Sequence, residues 1–244
     1  MSVDARLHVN PTGDLLEAAK DCEADVFLRW YGNTRAELDD EYGPYEDASV
    51  FLAVTDALGD VVAAMRLLVP GGSAGLKTLN DVAREPWQVD GARVAAAAAL
   101  DLASTWEIAT LTSRRQQAAS QIRNAMTLYH GFGTVARVNA MSAFVAILDA
   151  RVRRLLDQVG YVTRTLPGTR PGYYLGSESS VPVFANMATM VGLQRRDYPD
   201  SFALVTLGNG LDGVAVPTDE EFLVISRPDP IPSSWLSPGM LATV

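Results

Sequence analysis

STWEIATLTSRRQQAASQIRNAMTLYH, residues 104–130, decides how the rest of the chain is read. Ser104–Thr112 is rich in β-branched and aromatic residues and predicts a strand, with the carboxyl of Glu107 at its middle. Ala118, Ile122, Ala125 or Met126, and Tyr129 recur at helical spacing, which predicts an amphipathic helix from Ala118 to His130. Arg114 and Arg115 occupy the turn between the two, and Arg123 follows inside the helix. A helix start offers unpaired N–H groups and the positive end of the peptide dipoles, so a strand, a basic turn and a helix together suit an anion such as a pyrophosphate. An ordinary solvated arginine cluster fits the same residues.

Upstream, SVFLAVTD (49–56) and VVAAMRLLVP (61–70) are separated by a short polar turn and predict a hairpin buried on both faces. Leu15, Ala19, Cys22, Val26 and Trp30 mark one face of a helix running from Thr12 or Asp14 to about Tyr31. Between them NTRAELDDEYGPYED (33–47) carries no clear period and reads as a loop. Residues 71–92 form a Gly-rich connection with a short helix near Leu79–Ala83, and Val94–Leu102 is expected to be helical. Downstream, Gly131 and Gly133 are expected to end the helix and lead into a strand at Thr134–Met141. Phe144, Leu148, Val152, Leu155 and Val159 predict another helix closed by Gly160. Short strands follow near Tyr161–Thr165 and Gly172–Leu175, with β-like runs at Phe202–Leu207 and Phe222–Ser226. The expected class is α+β (mixed α/β), a central twisted mixed sheet flanked by helices. The expected organisation is a core over 1–170 and a β-containing elaboration of the same domain over 171–244.

The chain has 244 residues, 48% of them apolar and 20% charged, enough for a sizeable core. Its single cysteine, Cys22, excludes an internal disulfide framework. No apolar run is long enough to span a membrane, and MSVDARLHVNPTGD lacks the basic-then-apolar layout of a signal peptide, so a cytoplasmic protein is expected. A net charge of −9 argues against a nucleic-acid partner. The distribution is uneven: residues 1–60 hold 14 acids against 4 bases, whereas 114–170 hold 9 arginines against 2 acids. Two differently solvated surfaces explain this, and so does a protein that binds a cation at one end and an anion in the middle.

Two histidines, His8 and His130, and one cysteine give no soft-metal cluster, so no metal is expected. No G-x-x-x-x-G-K-[ST] occurs, which removes the P-loop. Four candidate groups remain. Glu37, Asp39, Asp40 and Glu41, with Glu46 and Asp47, form either a solvated loop or a site for a cationic acceptor; the order of a calcium loop is absent. Arg66 interrupts the apolar run AAMRLL, so it either points out from a strand edge or pairs with those carboxylates. Glu107 either faces solvent or, if buried beside Trp106, gains a pKa suited to a general base. Arg114, Arg115 and Arg123 complete the set.

In their order and spacing these features resemble the GNAT superfamily of N-acyltransferases, and within it the acyl-homoserine-lactone (autoinducer) synthases. The resemblance covers roughly residues 15–165. It rests on the helix with Phe27 and Trp30, the acidic stretch before a strand, VVAAMRLL with Arg66, TWEIATL in place of the E-x-x-R strand, and the helix ending LLDQVGY. It implies transfer of an acyl group from a thioester donor, acyl-CoA or a phosphopantetheine-linked acyl-carrier protein, to a small amine such as S-adenosylmethionine. It also implies a donor seated in the gap between the fourth and fifth strands. Carried over by position, Phe27, Trp30, Asp39, Asp40, Arg66 and Thr110 line the acceptor site. Glu107 is the candidate base, and Arg114, Arg115 and Arg123 hold the donor's phosphates. Thr110 stands where E-x-x-R has its arginine, Tyr42 where the acidic motif has its last aspartate, and Glu23 where the family commonly has arginine. The alternative is a non-catalytic sensor of acyl ligands on the same fold.

Overall fold

The computed structural model describes residues 3–225. One mixed sheet runs through the molecule. Its strands are β1 (Ala5–Val9), β2 (Ser49–Asp56), β3 (Val61–Leu68), β4 (Thr105–Ser113), β5 (Ala143–Asp149), β6 (Arg164–Thr165), β7 (Gly172–Tyr174), β8 (Ser177–Asn186) and β9 (Val214–Ala215). They are ordered β6-β8-β5-β4-β3-β2-β1-β9, and β7 also pairs with β8. The pairs from β1 to β4 are antiparallel, β4 and β5 are parallel, and β5 and β8 are antiparallel again.

The helices divide by chain order. Those before β4 lie on one face: α1 (Asp14–Tyr31), α2 (Arg35–Tyr42), α3 (Lys77–Asp81) and α4 (Gly91–Ala97). Those after it lie on the other: α5 (Ala118–Val138), α6 (Ala150–Gln158) and α7 (Met187–Asp197). The α5 face holds the main apolar core, in which Met65, Leu67, Trp106, Ile108, Phe132 and Phe144 interlock. Phe132 and Phe144 meet edge to face, with ring centroids 5.4 Å apart.

Several elements depart from the sequence reading. Residues 33–47 are not a loop. Thr34 caps α2 through a reciprocal box with Glu37, and a 3-10 turn over Gly43–Ala48 carries the chain into β2. Leu38 and Tyr42, one turn apart, bury the inner side of α2. Gly131 and Gly133 do not end α5, which continues to Val138, so no strand forms at 134–141. A Cβ on Gly131 would lie 2.9 Å from Leu7 Cδ2, so this glycine lets the helix settle close on the sheet. Phe144 and Leu148 belong to β5 rather than a helix, because AFVAILD is an apolar run buried along most of its length; Asp149 then caps α6. The alanine-rich helix begins at Gly91 and stops at Ala97. Phe202–Thr206 forms a π-helical turn, and no strand forms over Phe222–Ile225, where Phe222 plugs the core; Ser226 lies outside the described residues. His8 sits in β1, His130 sits within α5, and β8 and α7 complete the second half.

Candidate functional site

β3 and β4 send alternate side chains to opposite faces. Met65, Leu67, Trp106 and Ile108 enter the apolar core, which puts Arg66 and Glu107 on the face covered by α1, α2 and α3. Both are buried there, at 0% and 3% exposure.

Arg66 is held from two sides. Its Nε and Nη2 donate to the two carboxylate oxygens of Glu23, at 3.1 and 2.7 Å, and Nη1 donates to Glu46 at 2.8 Å. The guanidinium carbon stands 4.6 Å from the ring centres of both Tyr42 and Phe51. Burial alone would weaken its charge, but Glu23 and Glu46 outweigh it and raise its pKa. Glu46, which also accepts from Lys20, is held below the ordinary carboxylate range by these cations against its partial burial. Thr110 donates its hydroxyl to Glu23 as well. The α1 residues buried are Ala19, Cys22, Glu23 and Ala24, so the helix presents a carboxylate to the sheet where its apolar stripe alone would place Trp30.

A second cluster surrounds Glu107. Its carboxylate accepts from the backbone N–H and the hydroxyl of Thr78, each at 2.9 Å. Burial pushes its pKa up to about 7, with the Thr78 hydrogen bonds pulling the other way. Beside it Lys77 donates to Glu41, Asp81 and the hydroxyl of Tyr174, using all three of its N–H bonds. Tyr174, its pKa lifted far up by burial, keeps its proton and donates to Asp81 at 2.6 Å.

These clusters border a split in the sheet. β4 and β5 pair only over Thr105–Glu107 and Ala143–Val145. Just past that point the β3–β4 register shifts: Arg66 faces Thr110 and Leu67 faces Ile108, which leaves Ala109 as an extra residue on β4. A bulge bends its strand. β5 meanwhile stays paired with β8 along its whole length. A wedge therefore opens beyond Glu107, with Ala109 and Ile147, both half-buried, on its two sides. The Tyr42 hydroxyl donates to the Ala109 carbonyl at 3.3 Å. Phe27 and Tyr31, with ring centroids 5.4 Å apart, lie at the end of α1. There the carbonyl of Tyr31 approaches Gly176, where a Cβ would come within 2.2 Å of it. Gly176 has φ +83°, so this position requires glycine on two counts.

At the far end of β4 the chain turns into α5, whose N-cap Gln117 makes no capping hydrogen bond. Arg114 donates to Asp25 at 2.6 Å and to the Val61 carbonyl at 2.8 Å. Arg123 pairs with Asp4 at 3.6 Å, and Arg115 is exposed. The Nε atoms of Arg114 and Arg123 and the hydroxyl of Ser113 are buried with no hydrogen-bond partner among the described residues. Unspent donors at an uncapped helix start are what an anion requires.

Of the residues singled out from sequence, Arg66, Thr110 and Glu107 come together on one face, and Phe27 lies half-buried beside Tyr42 and Ala109. Trp30 is 61% exposed, Asp39 is spent on Arg35, and Asp40 is exposed. The acidic segment contributes Glu41 and Glu46 instead. Sequence reasoning passed over Glu23, Lys77, Thr78, Asp81 and Tyr174 as site residues. The departures at positions 23 and 110 prove to be linked, since Thr110 and Glu23 are hydrogen-bonded to each other. Among the described residues no group of three or more His, Cys, Asp or Glu is arranged to hold a metal ion, and no helix is long and apolar enough to cross a membrane.

No protein-family model and no curated protein matches the chain. Solved structures do. FeeM, an N-acyl amino acid synthase from uncultured soil microbes, superposes with a TM-score of 0.60 at 10% identity, over 78% of this chain and 93% of its own. BjaI, a CoA-dependent acyl-homoserine lactone synthase, solved with MTA, gives a TM-score of 0.56 at 16% identity, over 90% of this chain and 96% of its own. With its mixed sheet parting between β4 and β5 and helices on both faces, this chain has the GNAT-like fold that these two proteins share.

Proposed function

We propose that the chain is an N-acyltransferase that moves an acyl group from a thioester, acyl-CoA or an acyl-carrier protein, to a small primary amine. The observation that carries this reading is the buried carboxyl of Glu107 at the point where β4 and β5 part, with a pKa raised to about 7. A carboxyl so placed is half ionised near neutrality and can both take up and return a proton. The thioester enters the wedge, and its phosphates lie toward Ser113, Arg114, Arg123 and the start of α5. The amine nitrogen sits beside Glu107, loses a proton to it, and attacks the thioester carbonyl. The C–N bond forms as the C–S bond breaks, and the departing sulfur takes the proton from Glu107; the attacking nitrogen sheds its second proton to the carboxylate so freed, from which it passes to solvent, so amide and free thiol are the products. The backbone at the Ala109 bulge lies nearest the carbonyl oxygen and is the candidate to stabilise its negative charge.

The fold supports this reading, as do the neighbours themselves: FeeM is a synthase of N-acyl amino acids, and BjaI is a CoA-dependent acyl-homoserine lactone synthase also solved with SAM and isopentyl-CoA. Thiol release from acetyl-, octanoyl- and palmitoyl-CoA and from an octanoyl-carrier protein, with an amine panel, tests it. Amine-dependent thiol with the matching amide by mass spectrometry is the expected result. Donor binding by thermal shift with no thiol under any condition would favour an acyl-ligand sensor instead.

A further inference from the structure

We infer that the acceptor is a primary amine that carries no carboxylate, of the kind that decarboxylation of an amino acid yields. This rests on the acyltransferase reading and narrows it.

The cations around the site are already committed. Arg66 spends one edge of its guanidinium on both oxygens of Glu23 and the other on Glu46. Lys77 has no N–H left after Glu41, Asp81 and Tyr174. Lys20 is held by Glu46. Arg84 lies 3.9 Å from Asp81 with its side chain 73% exposed, out toward solvent. Forked recognition of a carboxylate needs a guanidinium edge or an ammonium with free donors facing it; Lys77 has none, and Arg66, after Glu23, Glu46 and Ser49, keeps one N–H of its five, too few for a fork.

The carboxyls tell the complementary story. Glu23 and Glu46 answer Arg66, and Glu41 and Asp81 answer Lys77. Glu107 forms no ion pair among the described residues and is met only by the neutral Thr78. The charge this cluster lacks is positive and belongs next to Glu107. An ammonium supplies it and becomes the neutral nucleophile once Glu107 takes its proton. An α-carboxylate brought in on the same molecule would be buried among five acids with no fork of donors free to compensate, at a cost that grows with desolvation. The rest of the wall is aromatic or small: Tyr42, Tyr174, Phe27, Ala109 and Ile147. It suits an alkyl or arylalkyl body. Glu23 makes the discrimination, because it occupies the guanidinium that would otherwise face the ligand.

The test uses the wild-type chain and matched pairs differing only in the carboxylate: tyrosine and tyramine, phenylalanine and phenethylamine, ornithine and putrescine. Donors are acetyl-, octanoyl- and palmitoyl-CoA and an octanoyl-carrier protein, and the readout is thiol release with product mass. The expected result is kcat/KM at least about tenfold higher for the amine in every pair that turns over. Equal or better turnover of the amino acids overturns the inference and leaves the acyltransferase reading standing. Silence of both members of all pairs overturns the two together. A second measurement follows the amine-to-amino-acid ratio in Glu23→Gln, with folding checked by circular dichroism. The ratio is expected to fall about tenfold as the grip on Arg66 loosens. An unmoved ratio in the folded variant overturns the role given to Glu23.

Discussion

The two faces of one sheet are buried alike and built of opposite materials. On the α5 face, β3 and β4 offer Met65, Leu67, Trp106 and Ile108 to an apolar core. On the other, the same strands offer Arg66, Glu107 and Thr110 to a network of buried charge. An apolar face stabilises in proportion to the area it hides and tolerates volume-conserving exchange. A charged face returns little net stability, because desolvation consumes most of the attraction, and it fails badly when one partner is removed. A chain that accepts the second kind of interior gains reactive groups held in fixed positions, and this contrast separates where the fold is secured from where its chemistry sits.

Glu107→Gln gives the largest expected effect. Turnover should fall roughly 10²–10⁴-fold while donor affinity stays nearly unchanged, and wild-type activity should rise with pH through an apparent pKa near 7 that the variant lacks. The same residue sets a stability slope. Its pKa is raised from 4.5 to about 7 in the fold, so its contribution is fully present below about pH 4.5 and is lost as pH rises to about 7. The size is on the order of 3 kcal/mol. Urea titrations from pH 4.5 to 8 should show that loss, with Thr78, Lys77 and Asp81 as its charged and polar surroundings, and Glu107→Gln should flatten it.

Arg66→Met comes next. It strands Glu23 at 1% exposure, and about 3–5 kcal/mol of stability should go, read as a lower urea midpoint. A midpoint within experimental error of wild type would mean that the charged face is not the fragile one. Gly131→Val probes the apolar face. Its Cβ meets Leu7 and Leu52, and a loss of about 1–3 kcal/mol is expected with activity per folded molecule retained. Thr34→Ala is the smallest, about 1 kcal/mol, through loss of the cap on α2. It sharpens the comparison because α2 carries Glu41 and Tyr42: KM for the amine should rise while KM for the donor holds.

The hairpin of β2 and β3, the extent of α1, and the strand, basic turn and helix over residues 105–130 were legible from local pattern, because each repeats its period over many residues, whereas the last turns of α5 beyond Gly131 were not. Residues 35–42 were not, since α2 is mostly charged and buries only Leu38 and Tyr42; its signal was the cap at Thr34 and Glu37. Phe144 and Leu148, four apart, satisfy a helix period and a strand period equally, and the unbroken apolar run between them favours the strand. In the site, Arg66 and Glu107 announced themselves as charges inside apolar runs. Glu23 did not, for it lies on a helix with many other acids, and its partners Arg66 and Thr110 are 43 and 87 residues away. Lys77, Asp81 and Tyr174 are likewise brought together only by the sheet.

The extra residue at Ala109 has a consequence for how such a chain changes over generations. A bulge adds one residue without exchanging the faces on either side, so a descendant lacking Ala109 keeps Glu107 and Thr110 on the charged face, Ile108 in the core and an unbroken ladder with β3. It has every side chain of the site and a straight β4, and with the bend gone the reason for the two strands to part is gone too. Deletion of one alanine, a residue with no chemistry of its own, is thus a route from an open wedge to a closed sheet, and reinsertion is the route back.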